Sequence, residues 1–474
     1  MKSDVDVNRG VDYLAILPLQ KLTRALGMIS CFKRSCTDLG RRLQGLASSS
    51  GLIAKVQRVK KEHAENGVLS VFGKVLTKLM RYLVILSMLP WLFRCSFRMA
   101  GFRIVVVNFG RIGHLAAELD GVVKENILYP RWPRIKPVIL CLQTPVFLNS
   151  SLFSFYSKYY WNVKSRLICN LLTNWGRNNR LLPCCDAPDS LKFDTYAYLC
   201  PIDTAAKYPR VLAEYGCRPP VVSFSEEDRA RGTALMRELG IPRDAWFVCI
   251  HARQAGYSEA DDHIHSFRNA SIENYLHAMS CIVDRGGVCV RMGDPSTTRL
   301  PALNGVIDYA HHPLRSDWLD IYLTGNCRFF LGCASGLAQV ATAFGIPCAI
   351  ANQAPFGVLF NVGIRDISIP KLYWCKKRDR LITFAEILRS PMSNFRYSSM
   401  FEKEHISLQE NTPDEIASLA MEMMDQVDGR IQYSEEDNRS QRYLRSKFHA
   451  CHYSYFGAGR VGREFLRKHG NLMS

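Results

Sequence analysis

Three short apolar runs, each breaking off into polar residues, constrain what this chain can fold into. Phe247-Val-Cys-Ile250 runs into His251-Ala-Arg253, Val288-Cys-Val290 into Arg291-Met-Gly-Asp294, and Phe329-Phe-Leu331 into Gly332-Cys-Ala-Ser335-Gly336. Runs this short and this apolar read as strands covered on both faces, the pattern of a parallel sheet. In open α/β sheets ligands bind outside the carboxyl ends of the strands, so the three polar tips are expected along one binding edge. A fourth run, Pro347-Cys-Ala-Ile-Ala351, either brings Asn352 to the same edge or lets it open a loop.

The tips carry chemistry suited to an anion. Ser335 is a good N-cap for a helix whose apolar face is Leu337, Val340, Ala341 and Phe344, with Gly345 and Pro347 as its stop. A helix start offers unpaired amides and a positive dipole end. Either Arg253 or Arg291 alone would be an ordinary surface or capping residue. Two at neighbouring strand ends, facing a helix start, point to a diphosphate, because the guanidinium fork makes paired bonds to phosphate oxygens. Asp294 would repel a diphosphate it faced directly, so its expected role is to orient Arg291 or to cap the turn at Pro295 rather than to bond a ribose hydroxyl.

At 474 residues the chain exceeds what one core usually supports, and its 47% hydrophobic and 22% charged residues mark it as globular. We divide it into a basic helical segment (1–100), an α/β domain (101–240), a second α/β domain (241–395) and a helical tail (396–474). The net charge of +18 is unevenly spread: residues 1–100 hold 17 Lys and Arg against 6 Asp and Glu, a net +11. No zinc finger or RNP-like aromatic motif accompanies that charge, which disfavours nucleic acid as the partner. Residues 82–93 form an apolar run with Arg81 and Arg94 at its ends. It is too short to span a bilayer, which takes about 20 residues. It suits a helix lying in an acidic membrane interface, or equally a buried helix. Seventeen scattered cysteines without a C-x-x-C pair fit buried thiols in a reducing compartment, and there is no secretory signal pattern at the N-terminus.

The first α/β domain opens with Phe102-Arg-Ile-Val-Val-Val-Asn108, a strand, then Gly110-Arg-Ile-Gly113-His114 and a helix through Glu118 and Asp120. A glycine loop between strand and helix is a common ligand-binding opening, although so short a pattern also occurs without one. His114 on that loop either faces a ligand or caps the helix. The segment Asp261-Asp262-His263-Ile-His265 invites a metal reading, but no third ligand spacing supports it, and a loop over the site is the expectation.

Several of these runs resemble a family of bacterial glycosyltransferases. The likeness lies in His251-Ala-Arg253-Gln-Ala-Gly256-Tyr257, Phe267-Arg268-Asn269, Val290-Arg-Met-Gly-Asp-Pro295, Val306-Ile-Asp-Tyr-Ala310, Leu314-Arg-Ser-Asp-Trp318, Ser335-Gly336 and Ile369-Pro-Lys-Leu-Tyr373, with Asn108 to His114 similar to the family's N-terminal motif. It is dense over residues 245–375 and does not cover the first 95 residues or the tail. Ala252 and Gln254 stand where the family commonly has Val and Glu. The resemblance implies the GT-B architecture, two Rossmann-like domains facing across a cleft, with the donor in the C-terminal one.

It also implies a reaction: a sugar passes from a nucleoside diphosphate to a glycan or lipid-linked acceptor. The nucleotide-sugar is then a substrate, and no cofactor or metal is expected. Arg253, Arg291, Asp294, Ser335, Gly336 and Asn352 are the expected donor-binding residues. An inverting route would need a base, for which His114 ranks before Glu118 and Asp120. The protein is expected in the cytoplasm, peripheral on the inner face of the membrane through residues 1–98. Two other classes stay open: a nucleotide-sugar epimerase or hydrolase on the same fold, told apart by free product, and a non-catalytic basic membrane or nucleic-acid adaptor with a GT-B core, which would bind no nucleotide.

Overall fold

The computed structural model describes residues 76–77, 104–106, 111–129, 138–140, 149–163, 201–256, 259–359, 363–449 and 452–473. The basic N-terminal patterns, the apolar run 82–93 and the loop 107–110 lie outside these residues. The chain divides into two compact units, 1–89 and 90–474. Of the first, only Leu76 and Thr77 are described, an exposed helical pair. Among the described residues no helix is long and apolar enough to cross a membrane.

The second unit opens with strand β1 (Ile104–Val106), helix α1 (Ile112–Leu128), β2 (Val138–Leu140), α2 (Ser150–Tyr156) and β3 (Trp161–Val163). The three strands form a parallel sheet in the order β1-β2-β3. Helix α1 is buried from Leu115 to Glu125. It tolerates this because its polar residues are satisfied internally: Lys124 Nζ meets Asp120 at 2.6 Å, and Tyr208 Oη donates to the same carboxylate at 2.6 Å. Burial still raises the pKa of Asp120, against the pull of Lys124. Helices α3 (Pro201–Tyr215) and α4 (Glu226–Glu238) follow, α4 opened by a capping box between Ser225 and Asp228.

The principal sheet then assembles from β4 (Phe247–His251), α5 (Glu259–His265), α6 (Leu276–Asp284), β5 (Val288–Arg291), β6 (Val306–Ile307), α7 (Asp317–Asn326), β7 (Phe329–Gly332), α8 (Gly336–Ala343), β8 (Cys348–Gln353) and β9 (Ile367–Pro370). With β13 (Arg460–Val461) from the end of the chain, seven strands lie in the order β13-β9-β8-β7-β4-β5-β6, every neighbouring pair parallel. The molecule is therefore a mixed α/β protein with β7 at the centre of a seven-stranded parallel sheet and β4 beside it. Alternation along β4 sends Val248 and Ile250 into one core with α6, and Phe247 and Cys249 into another with α1, α7 and α8. Both faces being covered, the strands are apolar throughout, which is why they stand out in the sequence.

The last part of the chain holds β10 (Leu372–Cys375), β11 (Arg380–Leu381), α9 (Phe384–Leu388), α10 (Ser398–Lys403), β12 (Ile406–Gln409), α11 (Pro413–Val427), α12 (Glu435–Ser446), β13 (Arg460–Val461) and α13 (Arg463–Lys468). The region from 396, read as a helical tail, thus carries two strands. β12 pairs antiparallel with β10, and β13 extends the main sheet beside β9. A two-residue strand such as β13 has too few positions to show a period. Helix α11 packs on α6 and closes the first core with Ile416, Leu419, Ala420 and Met423.

Candidate functional site

The carboxyl ends of β4, β5, β7 and β9 gather the polar residues. At the tip of β4, His251 lies opposite Gly332 of β7, while its neighbour Ile250 lies opposite Arg291 of β5. Burial, reinforced by the positive Arg291, lowers the His251 pKa to about 4, so the ring is neutral at ordinary pH. Its Nδ1 is buried without a partner.

Arg291 is buried, 1% exposed; both its terminal nitrogens are engaged, while its Nε has no hydrogen-bond partner among the described residues. It meets Asp308 at 3.0 Å, donates to the Thr298 carbonyl at 2.9 Å and to Gln254 Oε1 at 3.3 Å. The carboxylate that orients it is Asp308, from the neighbouring β6 end, which also meets His311 Nδ1 at 2.9 Å. Asp294 lies in the turn, where its Oδ1 accepts from Ser296 N at 2.8 Å. Gln254 also accepts from Thr298 N at 3.0 Å, so it ties the β4 and β5 loops together.

Arg253 stands closer to open space. Its guanidinium donates to the His265 carbonyl at 3.2 Å and to the Asn269 side chain, with Asp262 at 3.7 Å. Two further cations stand nearby that sequence reasoning did not assign to the site. Arg268 donates to the Ala334 carbonyl at 2.6 Å, beside the start of α8. Lys371, directly after β9, is buried and donates to the Asn269 carbonyl at 2.5 Å, with Glu410 at 3.9 Å. Burial lowers its pKa. Arg268 directly precedes Asn269 and Lys371 directly follows β9, and an apolar strand ending in lysine was the available signal for Lys371.

Ser335 is the N-cap of α8, its hydroxyl accepting from Ala338 N at 3.4 Å. The next residue makes the most consequential contact of the site. A Cβ on Gly336 would lie 2.6 Å from Ile112 Cγ2 and 3.1 Å from Gly113 N, and a Cβ on Gly113 would lie 2.8 Å from Gly336 Cα. The starts of α1 and α8 therefore touch backbone to backbone, which only glycine at both positions permits. This brings His114 beside the Ser335 helix start. His114 is a quarter exposed, and its Nδ1 lies 3.1 Å from the carboxylate of Glu118, which is buried.

Asn352 lies near the carboxyl end of β8, where it is held in a buried pair. It has φ 54°, a left-handed conformation that asparagine tolerates. Its amide donates to Asn411 Oδ1 at 2.6 Å, and its own side-chain oxygen accepts from Asn411 N at 2.8 Å, a reciprocal buried pair. In the histidine segment, His265 Nδ1 lies 3.0 Å from the Arg396 carbonyl. Among the described residues no three His, Cys, Asp or Glu stand together as a metal site.

No protein-family model and no curated protein matches this chain. A solved structure, the glycosyl transferase family 9 from Veillonella parvula DSM 2008, aligns with 52% of this chain and 79% of its own at 14% identity and a TM-score of 0.30. A likeness that distant carries no argument here.

Proposed function

We propose that the chain is a glycosyltransferase that moves a sugar from a nucleoside diphosphate to a hydroxyl of a glycan or lipid-linked acceptor. The observation that carries this reading is the meeting of the α1 and α8 starts, with Arg268 bonded to the Ala334 carbonyl just before α8, Arg253 at the β4 tip, and His114 next to Gly113. Amides at a helix start and two guanidinium groups suit a diphosphate, and the resemblance over residues 245–375 agrees. In this reading Arg253, Arg268, Ser335 and Gly336 touch the phosphates. Arg291 and Lys371 support them from beneath, while Asp294 and Asn352 shape the edge. The three-stranded and seven-stranded sheets form the two halves of a GT-B enzyme, and the basic residues 1–98 hold it to an acidic membrane.

The chemistry follows from those positions. As the acceptor oxygen bonds the anomeric carbon, the sugar–diphosphate bond breaks and its electron pair goes to the departing phosphate oxygen. The arginines and helix amides are preorganised for that growing charge, the largest kind of catalytic stabilisation. Glu118 holds Nδ1 of His114, which leaves Nε2 to take the acceptor proton. The test is a transfer assay with a panel of nucleotide-sugars. His114→Ala should lower transfer about 100-fold or more while leaving donor binding in place. Unchanged transfer in that variant removes His114 as the base, and free sugar as the only product favours a hydrolase.

A further inference from the structure

Six of the twelve large apolar side chains exposed among the described residues are Tyr129, Ile264, Tyr397, Met400, Tyr455 and Phe456. A chain of contacts links their neighbourhoods. It begins at Arg253, whose guanidinium donates to the His265 carbonyl at 3.2 Å. The His265 ring stacks on Tyr397, centroids 5.9 Å apart at 27°. Next to Tyr397, Arg396 lies 4.3 Å over the Tyr453 ring and donates to its hydroxyl at 2.6 Å. Two residues on, Tyr455 packs edge-on against Phe456 at 4.8 Å, and Arg210 covers Phe456 at 4.8 Å. Arg210 then meets Glu214 at 2.8 Å, which accepts from the Tyr129 hydroxyl at the end of α1.

We infer that this stripe is a saccharide-binding track that holds a glycan chain leading into the transfer site, so that the acceptor is an oligosaccharide or polysaccharide. The inference rests on the transferase reading for its direction, and on the stripe itself for its chemistry. An aromatic face carries a negative quadrupole, which attracts the polarised C–H face of a pyranose ring. Between the rings stand Arg396, Arg210, Glu214 and the Tyr453 hydroxyl, groups that exchange hydrogen bonds with sugar hydroxyls. A lipid tail would call for an unbroken aliphatic surface, and only Ile264 and Met400 are aliphatic in character. Exposed apolar groups on this scale, rimmed by polar ones, mark a binding surface. The stripe also starts beside the residue that heads the phosphate cluster, which is the place a growing chain must reach.

The experiment is native affinity electrophoresis of the full chain in gels containing a neutral hexose polymer, an N-acetylhexosamine polymer or a uronic-acid polymer. Wild type should be retarded by at least one of them. The doubly substituted Tyr397→Ala, Phe456→Ala protein should bind that polymer at least ten-fold more weakly, while Tyr397→Phe, which keeps the ring, binds as wild type does. No retardation of wild type by any polymer, or equal retardation of the double variant, overturns the track. Nucleoside diphosphate binding, measured on the same preparations, separates the two ideas. Polymer binding without nucleotide binding keeps the track and removes the transferase reading, and nucleotide binding without polymer binding does the reverse.

Discussion

A single methyl group at Gly113 or Gly336 probes whether the α1 and α8 starts meet as described. A Cβ at Gly113 would approach Gly336 Cα to 2.8 Å, where carbon contacts are comfortable at about 3.5 to 4.0 Å. The obstacle is backbone, so no rotamer change relieves it and the helix starts must separate by roughly 1 Å. Overpacking of this kind costs about 1 to 3 kcal/mol. Replacing glycine by alanine within a helix returns at most about 1 kcal/mol of propensity, and less at a first turn. Each single variant should therefore lose about 1 to 2 kcal/mol in urea denaturation. The two methyls compete for one gap, so the double variant should lose less than the sum, with a coupling of about 0.5 kcal/mol or more. Gly113→Ala should also lower transfer more than donor binding, because it displaces His114. If both single variants are as stable as wild type, the helix starts do not touch, and His114 has no structural tie to the phosphate cluster.

Other groups give independent checks. His251 has a folded pKa near 4 against about 6.5 unfolded, so the unfolded chain takes up a proton first on acidification. Its contribution is intact above pH 6.5 and falls by about 1.4 kcal/mol per pH unit toward pH 4, roughly 3 kcal/mol in all. His251→Gln should flatten that part of the stability profile, and an unaltered slope would show that another group sets it. Asp308→Ala strands the buried Arg291 charge and should cost about 3 to 5 kcal/mol, read by denaturation. Asn411→Leu takes the side-chain partners away from the Asn352 backbone N–H and the Pro370 carbonyl. It should cost about 2 to 4 kcal/mol with little effect on donor affinity, provided Asn352 shapes the edge without touching the donor.

Much of the main sheet was legible because burial on both faces writes each strand as an uninterrupted apolar run. The ends of β4, β5, β7 and β8 fall within two residues of where those runs stop. Ser335 was legible for a similar reason, since capping is a local interaction between residues three apart. What was hidden depends on residues far apart in sequence. Asp308 reaches Arg291 only because β6 lies beside β5, and strand order is not written in any local period. Gly113 and Gly336 each look like ordinary turn glycines until the two helix starts are placed together. Arg268 sits in a polar loop, where one arginine resembles another until its carbonyl partner at Ala334 is known.

The most direct measurement of the phosphate cluster is calorimetric titration of nucleoside diphosphates and their sugars into wild type, Arg253→Ala and Arg268→Ala, each checked for an intact fold. At least one nucleotide should bind wild type, and each substitution should weaken it at least ten-fold, about 1.4 kcal/mol. Binding that is unchanged in both variants, or a wild-type protein that binds no nucleoside diphosphate at all, contradicts the assignment of this sheet edge to a sugar-nucleotide donor.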